Sequence, residues 1–421
     1  MADQDGLTRR AFLAAGAAAA PLAWARASSE PDPSSPAGLP ARDAYPLAPG
    51  VTYLNHASIG VMPTAVRDAL IANIRTQETN PWLHQWGPAW AEPVEAAHAE
   101  AAAFLGAPAD GVAINRNTTE AFATLAHGLS LEPGDEVLFS TLNHVGASAV
   151  WHEAADRRGF TVRVFEFPIR EAPGLTADDV VRLHTDEISA ETRVLVLPHA
   201  DNTIGLRHPV AAIARAARRR GVEIIAVDAA QTVGLLRVDA PATGADWLAT
   251  SAHKNLQSPK GLGLLSASET ARAAVRPTVV TWGRGRWAGS ARAYTDYGTR
   301  DLPSLLALRD CFTFQDALGR DRIEGHVRRL RDRLRDRVGD EPGLSWRSPR
   351  SWAMGCGLAL VGVGRADPRV VADRLFREHG IVVRPFADGP AEGLRVSVHA
   401  LNSAADVDRF VEAASRLARA G

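Results

Sequence analysis

The chain has 421 residues, 46% of them apolar and 23% charged, with a formal net charge of −1. These are globular proportions, with enough apolar material for a large core and enough length for a two-domain enzyme. The near-neutral balance gives no electrostatic ground for a nucleic-acid partner or for an anionic membrane surface.

In chain order, the first 27 residues stand apart. Thr8-Arg9-Arg10-Ala11-Phe12-Leu13 precedes an Ala-rich run, and Ala25-Arg26-Ala27 supplies an A-x-A cleavage site. The arginine pair, followed by Phe12 and Leu13 and only modest hydrophobicity, resembles a twin-arginine signal peptide (residues 1–27) cleaved after Ala27. It predicts a periplasmic or otherwise exported protein, folded before export. Residues 28–50 begin with a Pro- and Ser-rich stretch and read as a linker or N-terminal arm. No later stretch is apolar and long enough to span a bilayer.

From 51 to 304 strand-like runs alternate with amphipathic segments. EVLFST (136–141), TVRVFEF (161–167), RVLVLPHA (193–200), VEIIAVDAA (222–230), DWLATSAH (246–253) and GLGLLSA (261–267) predict strands, and PVAAIARAARRRG (209–221) predicts one of the helices between them. The expected fold class is α/β: a large domain (51–304) with a mainly parallel mixed sheet flanked by helices, followed by a smaller α+β C-terminal domain (305–421). In the second domain, Ile323, Val327, Leu330, Leu334 and Val338 recur at helical spacing, which makes the Arg-rich run among them a solvated helix face. LALVGV, IVVRPF and GLRVSVH then predict strands, and SAADVDRFVEAASRLARA a final helix. Cys311 and Cys356 lie in apolar contexts without metal-ligand spacing. A disulfide and two buried thiols are both open, and the buried thiols are the expectation.

Polar groups recur where the central strands end. RVLVLP runs into His199-Ala200-Asp201-Asn202, VEIIAV into Asp228-Ala229-Ala230-Gln231, and DWLAT into Ser251-Ala252-His253-Lys254. In open α/β sheets ligands collect beyond the carboxyl ends of strands. A carboxylate such as Asp228, after a run of apolar residues, is costly to bury unless a cation or strong donor meets it. The chain has only two lysines, Lys254 and Lys260. Arginine stays protonated and cannot form an imine, whereas a primary amine can, so Lys254 is the candidate for covalent chemistry. Asn117-Thr118-Thr119-Glu120 opens a predicted helix whose N-terminus suits a phosphate. A pyridine partner, a phosphate cradle and an imine-forming lysine together describe pyridoxal 5′-phosphate (PLP).

NTTEA, DNTIGLRHP, VDAAQ, SAHKN, SPKGLG, GTRD and LRVSVHALN occur in family order, and the match runs from YLNHASIG (53–60) to LRVSVHALN (394–402). The chain resembles the class V aminotransferase group of PLP enzymes with the aspartate aminotransferase-like fold, especially the isopenicillin-N epimerase-like proteins. The resemblance implies that Lys254 binds the cofactor covalently and shuttles a proton, that Asp228 pairs with the pyridine nitrogen, and that His144 stacks on the ring. It places Asn202 and Gln231 at the ring hydroxyl, and Ser251, His253, Thr118 and Thr119 at the phosphate. Thr299 would reach the phosphate of the other subunit, which implies a homodimer with shared sites. Arg395 would clamp the substrate α-carboxylate, and Asn55 and His56 would line the substrate side. His84 and Trp86 are further candidates to cover it, and Lys260 is expected to be structural or at the surface. The stretch Arg384–Leu394 has no cysteine where the related desulfurases carry their nucleophile. The expected activity is at the α-carbon of an amino acid or peptide-like amine, of the aminotransferase or epimerase type, in secondary-metabolite or siderophore maturation. The alternatives are a PLP-dependent C–S lyase and a non-catalytic exported binding protein that keeps the fold.

Overall fold

In the computed structural model, Leu39 and residues 42–420 are described. The signal-peptide reading and most of the linker fall outside them. The first strand, β1 (Thr52–Tyr53), precedes two helices, α1 (Thr64–Thr79) and α2 (Ala91–Leu105). The large domain then runs through β2 (Val112–Asn115), α3 (Thr118–Gly128), β3 (Glu136–Ser140), α4 (Val145–Arg158), β4 (Thr161–Phe165), α5 (Ala177–Thr185), β5 (Thr192–Pro198), α6 (Val210–Arg219), β6 (Ile224–Asp228), β7 (Trp247–Thr250) and β8 (Gly263–Ala267). Seven of these strands form one sheet in the order β2-β8-β7-β6-β5-β3-β4. Only β8 runs antiparallel to its neighbours. β2, β3 and β6 are buried along their whole length because helices cover both faces of the sheet. The four residues of β2 therefore show no alternation, which is why sequence pattern passes over that strand.

Helix α7 (Leu302–Leu318) crosses the boundary expected at residue 305. Its Leu302, Leu305, Leu306, Leu308, Cys311 and Phe312 join the core of the large domain. The second core begins where the chain turns at Gly319 (φ 82°) into α8 (Arg320–Asp340). The five apolar residues expected on the inner face of α8 are all buried there. Arg331, on the supposedly solvated face, is buried too, with its guanidinium 5.2 Å from the Trp346 ring centre.

The small domain follows with β9 (Ser345–Trp346), β10 (Leu358–Gly362), α9 (Pro368–His379), β11 (Ile381–Val382), β12 (Arg384–Phe386), β13 (Gly393–Ser397) and α10 (Ala404–Ala420). Its antiparallel sheet has the order β12-β13-β10-β9. The N-terminal segment belongs with it: β1 pairs in parallel with β11, Ser397 N–H donates to the Leu54 carbonyl (2.8 Å), and Ala57 N–H donates to Ser397 Oγ (2.9 Å). Residues 52–57 are thus stitched to the small domain before the chain enters the large one. No helix among the described residues is long and apolar enough to cross a membrane.

Several histidines are sealed inside. His184, His199 and His399 are each pushed down to about 4, chiefly by burial, and His208 is depressed further by burial and by its histidine neighbours. Because the folded-state values lie below the ordinary 6.5, the unfolded chain takes up protons first as pH falls. Stability from these groups is complete above about pH 6.5 and is lost toward pH 4, at roughly 1.4 kcal/mol per pH unit for each histidine. Chemical denaturation at pH 7.5 and pH 5 is expected to show a clear fall in the midpoint at the lower pH, and His184→Gln is expected to reduce that fall.

Candidate functional site

The site is assembled by strand register. Pro198 of β5 is opposite Asp228 of β6, and Asp228 is opposite Ala249 of β7, so three polar strand ends emerge side by side. Backbone bonds lock them together: His199 N–H donates to the Asp228 carbonyl (2.7 Å) and Ala229 N–H to the Ala249 carbonyl (2.8 Å). Asp228 is buried, and one of its carboxylate oxygens accepts from Ala230 N–H (2.9 Å). Its other oxygen has no protein partner among the described residues.

Lys254 lies on the loop after β7 and is half-buried. Burial lowers its ammonium to about 8; Asp228 opposes that shift, and Arg395 and Arg384 add to it. These four groups therefore act on one small volume. His144 shares it: its imidazole is lowered first by burial, then by Lys254, Arg384 and Arg395, with Asp228 acting in the opposite sense. The His144 side chain caps α4, its Nδ1 accepting from Gly146 N–H (3.0 Å). That bond places the ring proton on Nε2 when the imidazole is neutral.

The N-terminus of α3 faces the same volume. The Asn117 side chain accepts from Glu120 N–H (2.9 Å), and Ser251 Oγ bonds both the N–H (3.1 Å) and the hydroxyl (3.0 Å) of Thr118. Thr119 is exposed. A Cβ placed on Gly146 would stand 2.6 Å from Thr119 Oγ1 and 3.0 Å from His144 Nδ1, so the starts of α3 and α4 converge. Two buried atoms nearby have no protein partner, Gln231 Oε1 and His253 Nδ1. The Gln231 amide nitrogen, by contrast, donates to the Ala57 carbonyl (3.0 Å).

Arg395 closes the far side from β13. It is buried, and its guanidinium donates to the Asn202 carbonyl (2.7 Å), to Asn55 Oδ1 (3.1 Å) and to Ser58 Oγ. Its Nε is buried without a partner. Asn202 thus meets Arg395 through its backbone. Asp201 next to it accepts from the N–H groups of Thr203, Ile204 and Leu206, which shapes the loop that carries Asn202.

Four further expected residues lie as follows. His56 is fully buried, its ring packed against Tyr53 and His399 at 5.1 and 5.2 Å, so a substrate has no surface of it to touch. It supports the Asn55–Ser58 loop from behind instead. His84 bonds the Asn80 carbonyl and packs on Trp90, while Trp86 is exposed and faces Trp282. Thr299, expected at the phosphate of the other subunit, stands on an exposed loop after Gly298 (φ 58°). Lys260 is structural, as expected: its ammonium donates to the Gly60 carbonyl (2.7 Å) and ties the N-terminal loop to the Lys254 loop. Sequence reasoning passed over Ser58 and Arg384. The signal for Arg384 was present, a lone cation within the apolar run IVVRPF, but only sheet register shows what lies opposite it.

The sequence profile of the Aminotransferase class-V family matches residues 52–410. The chain belongs to that family. It is a PLP-dependent enzyme family, and the residues above fit the cofactor: an unshared carboxylate oxygen on Asp228 for a ring nitrogen, an orphaned acceptor at Gln231 Oε1 and an orphaned ring nitrogen at His253, a donor when it carries the ring proton, and a helix N-terminus with the exposed Thr119 for a phosphate. An isopenicillin N epimerase of Amycolatopsis lactamdurans is 31% identical over 408 residues, covering 90% of this chain and 98% of the relative. A probable cysteine desulfurase of Pseudomonas aeruginosa is 35% identical over 240 residues, 54% of this chain and 56% of that protein. Among solved structures, the apo cysteine desulfurase of Thermococcus onnurineus superposes with a TM-score of 0.79 at 22% identity, covering 93% of this chain and 100% of that one. A C-DES mutant with glycine covalently linked to its PLP cofactor gives 0.80 at 21% identity, covering 90% and 100%.

The closest approach in the site is at Gly60. Its N–H donates to the His253 carbonyl (2.8 Å), and a Cβ there would stand 1.9 Å from the Lys254 carbonyl oxygen. Gly60→Ala is expected to push the two loops apart and to lower cofactor retention at least several-fold, measured by dialysis against buffer and absorbance. The same change at Gly339, within α8, where a Cβ meets nothing within 4 Å and the backbone is helical, serves as the control for retention.

Proposed function

We propose that the chain acts at the α-carbon of an amino acid or peptide-borne amine, as an epimerase or aminotransferase, and that it works outside the cytoplasm. The observation that carries this reading is the convergence of Lys254, Asp228, His144 and Arg395 on one small volume with no accessible thiol beside them. Cys311 and Cys356 are both free and buried; burial raises the Cys356 thiol to about 11 and the Cys311 thiol further still. A persulfide-forming nucleophile needs an exposed, readily ionised thiol. Neither cysteine provides one.

PLP, when bound, supplies an electrophilic aldehyde and an electron-withdrawing ring that ease cleavage of a bond at the substrate α-carbon. Asp228 would hold the ring nitrogen with its unshared carboxylate oxygen. Gln231 and Asn202 would hold the ring hydroxyl, and His144 would lie on the ring face. Thr118, Thr119, Ser251 and His253 would hold the phosphate, with Thr299 reaching that of the second subunit in a homodimer.

Arg395 then orients the substrate by its α-carboxylate, using the donors that Asn202, Asn55 and Ser58 leave free. Lys254, lowered to about 8, has a substantial neutral fraction near neutral pH. Its Nζ would hold the cofactor covalently and, when free, would take and return a proton at the substrate α-carbon. The loops around Asn55 and Lys254 exclude water from that transfer by packing on each other.

The test is exchange of the α-hydrogen of D- and L-amino acids in D2O, with and without an α-keto acid. Exchange with inversion marks an epimerase, and amino transfer to the keto acid marks an aminotransferase. Sulfide or persulfide release from cysteine or cystine as the dominant reaction would overturn the reading. Lys254→Ala is expected to abolish the visible absorption band of the holoenzyme and to slow exchange by about 10³-fold or more.

Export rests on Arg9-Arg10 and the Ala25-Arg26-Ala27 site. Cell fractionation is expected to find the processed chain in the periplasm, and Arg9→Lys with Arg10→Lys to leave the precursor in the cytoplasm. A single-chain mass in light scattering would remove the role given to Thr299.

A further inference from the structure

Arg384 and Arg395 are directly opposite each other on the paired strands β12 and β13. Cross-strand partners project from the same face of a sheet. Phe386, two residues along β12, shares that face, and its ring centre lies 5.2 Å from the Arg384 guanidinium and 5.8 Å from that of Arg395. Two cations therefore flank one aromatic ring, and both act on Lys254.

Among the described residues neither guanidinium has an ion pair. Arg384 is half-buried, and its guanidinium faces the Phe386 ring with neither a hydrogen bond nor an ion pair among the described residues. Arg395 spends three of its five N–H donors on Asn202, Asn55 and Ser58, and its Nε is buried without a partner. Asp201, a carboxylate near Arg395, is occupied by the backbone N–H groups of its own loop. Asp388, close in sequence, pairs with Arg369. Like charges placed opposite each other across a sheet are destabilising. The arrangement makes sense when a ligand brings the balancing charge. The donors left on Arg395 suffice for one carboxylate, and Arg384 keeps a full fork for another.

We infer that the natural substrate carries a second carboxylate on its side chain, with Arg395 taking the α-carboxylate and Arg384 the distal one. This deepens the α-carbon reading above and rests on it. It makes the substrate class an acidic amino acid, free or presented in a larger molecule.

The test uses the holoenzyme and ligands without an amine, so that recognition is read apart from turnover. Calorimetric titration compares succinate and glutarate with their monoamides, succinamate and glutaramate, which differ essentially in one negative charge. At least one diacid is expected to bind about 10-fold or more tightly than its monoamide, the worth of one charge-assisted contact. In Arg384→Gln that ratio is expected to fall to about 1, and in Arg384→Lys to an intermediate value. The inference is overturned if neither diacid is preferred by the wild-type protein, if the preference persists in Arg384→Gln, or if Arg384→Gln weakens diacid and monoamide alike. The last outcome would assign Arg384 to the α-carboxylate. Matching α-hydrogen exchange of glutamate against glutamine separates the two readings: a diacid preference without exchange of any amino acid would sink the α-carbon reaction while leaving the distal subsite in place.

Discussion

Arg395 is a guanidinium buried where two domains and an N-terminal segment meet, and much of the architecture serves to make that burial tolerable. Its acceptors come from three separate stretches of chain: the Asn202 carbonyl after β5, and Asn55 and Ser58 before α1, all converging on β13. A buried cation without full pairing is expensive, and burial lowers Arg395 to about 9. A structural role would have been served by a carboxylate. Neutral acceptors hold the group in place while leaving most of its charge uncompensated, which is the condition for binding an anion.

The same segment that orients Arg395 also positions Lys254. Gly60 lies against the Lys254 carbonyl, Lys260 bonds Gly60, and Gln231 bonds Ala57. Because residues 52–57 pair with the small domain, the positions of the small-domain arginine and of the large-domain lysine are coupled through a few residues of extended chain. Relative movement of the domains would alter the spacing between the group that binds the carboxylate and the group that moves the proton. That coupling also gives the second lysine its physical reason: a flexible stem long enough to reach a backbone carbonyl on the facing loop.

Much of the site was legible before any coordinates. The acids, amides and hydroxyls at the ends of β5, β6 and β7 follow apolar runs so directly that their position beyond the sheet can be read from pattern. Lys254 stood out because arginine was used almost everywhere else. Other parts were hidden. His56 belongs to a motif that runs along the site, yet its ring turns inward to Tyr53 and His399, and nothing in the spacing shows which way a loop side chain points. Helix α7 looked like the start of the second domain because a domain boundary carries no composition mark when the linking helix is amphipathic toward the first core.

The sequence by itself determined the α/β class, the family, and the identity of the amine and carboxylate that the cofactor chemistry requires, because those depend on residue type and order along the chain. Tertiary structure decided which charges are left unmet. Arg384 and Arg395 are separated by a turn and are unremarkable as a pair of letters; only the antiparallel register of β12 and β13 sets them opposite each other, and only three-dimensional packing shows that no carboxylate of the described chain comes to Arg384.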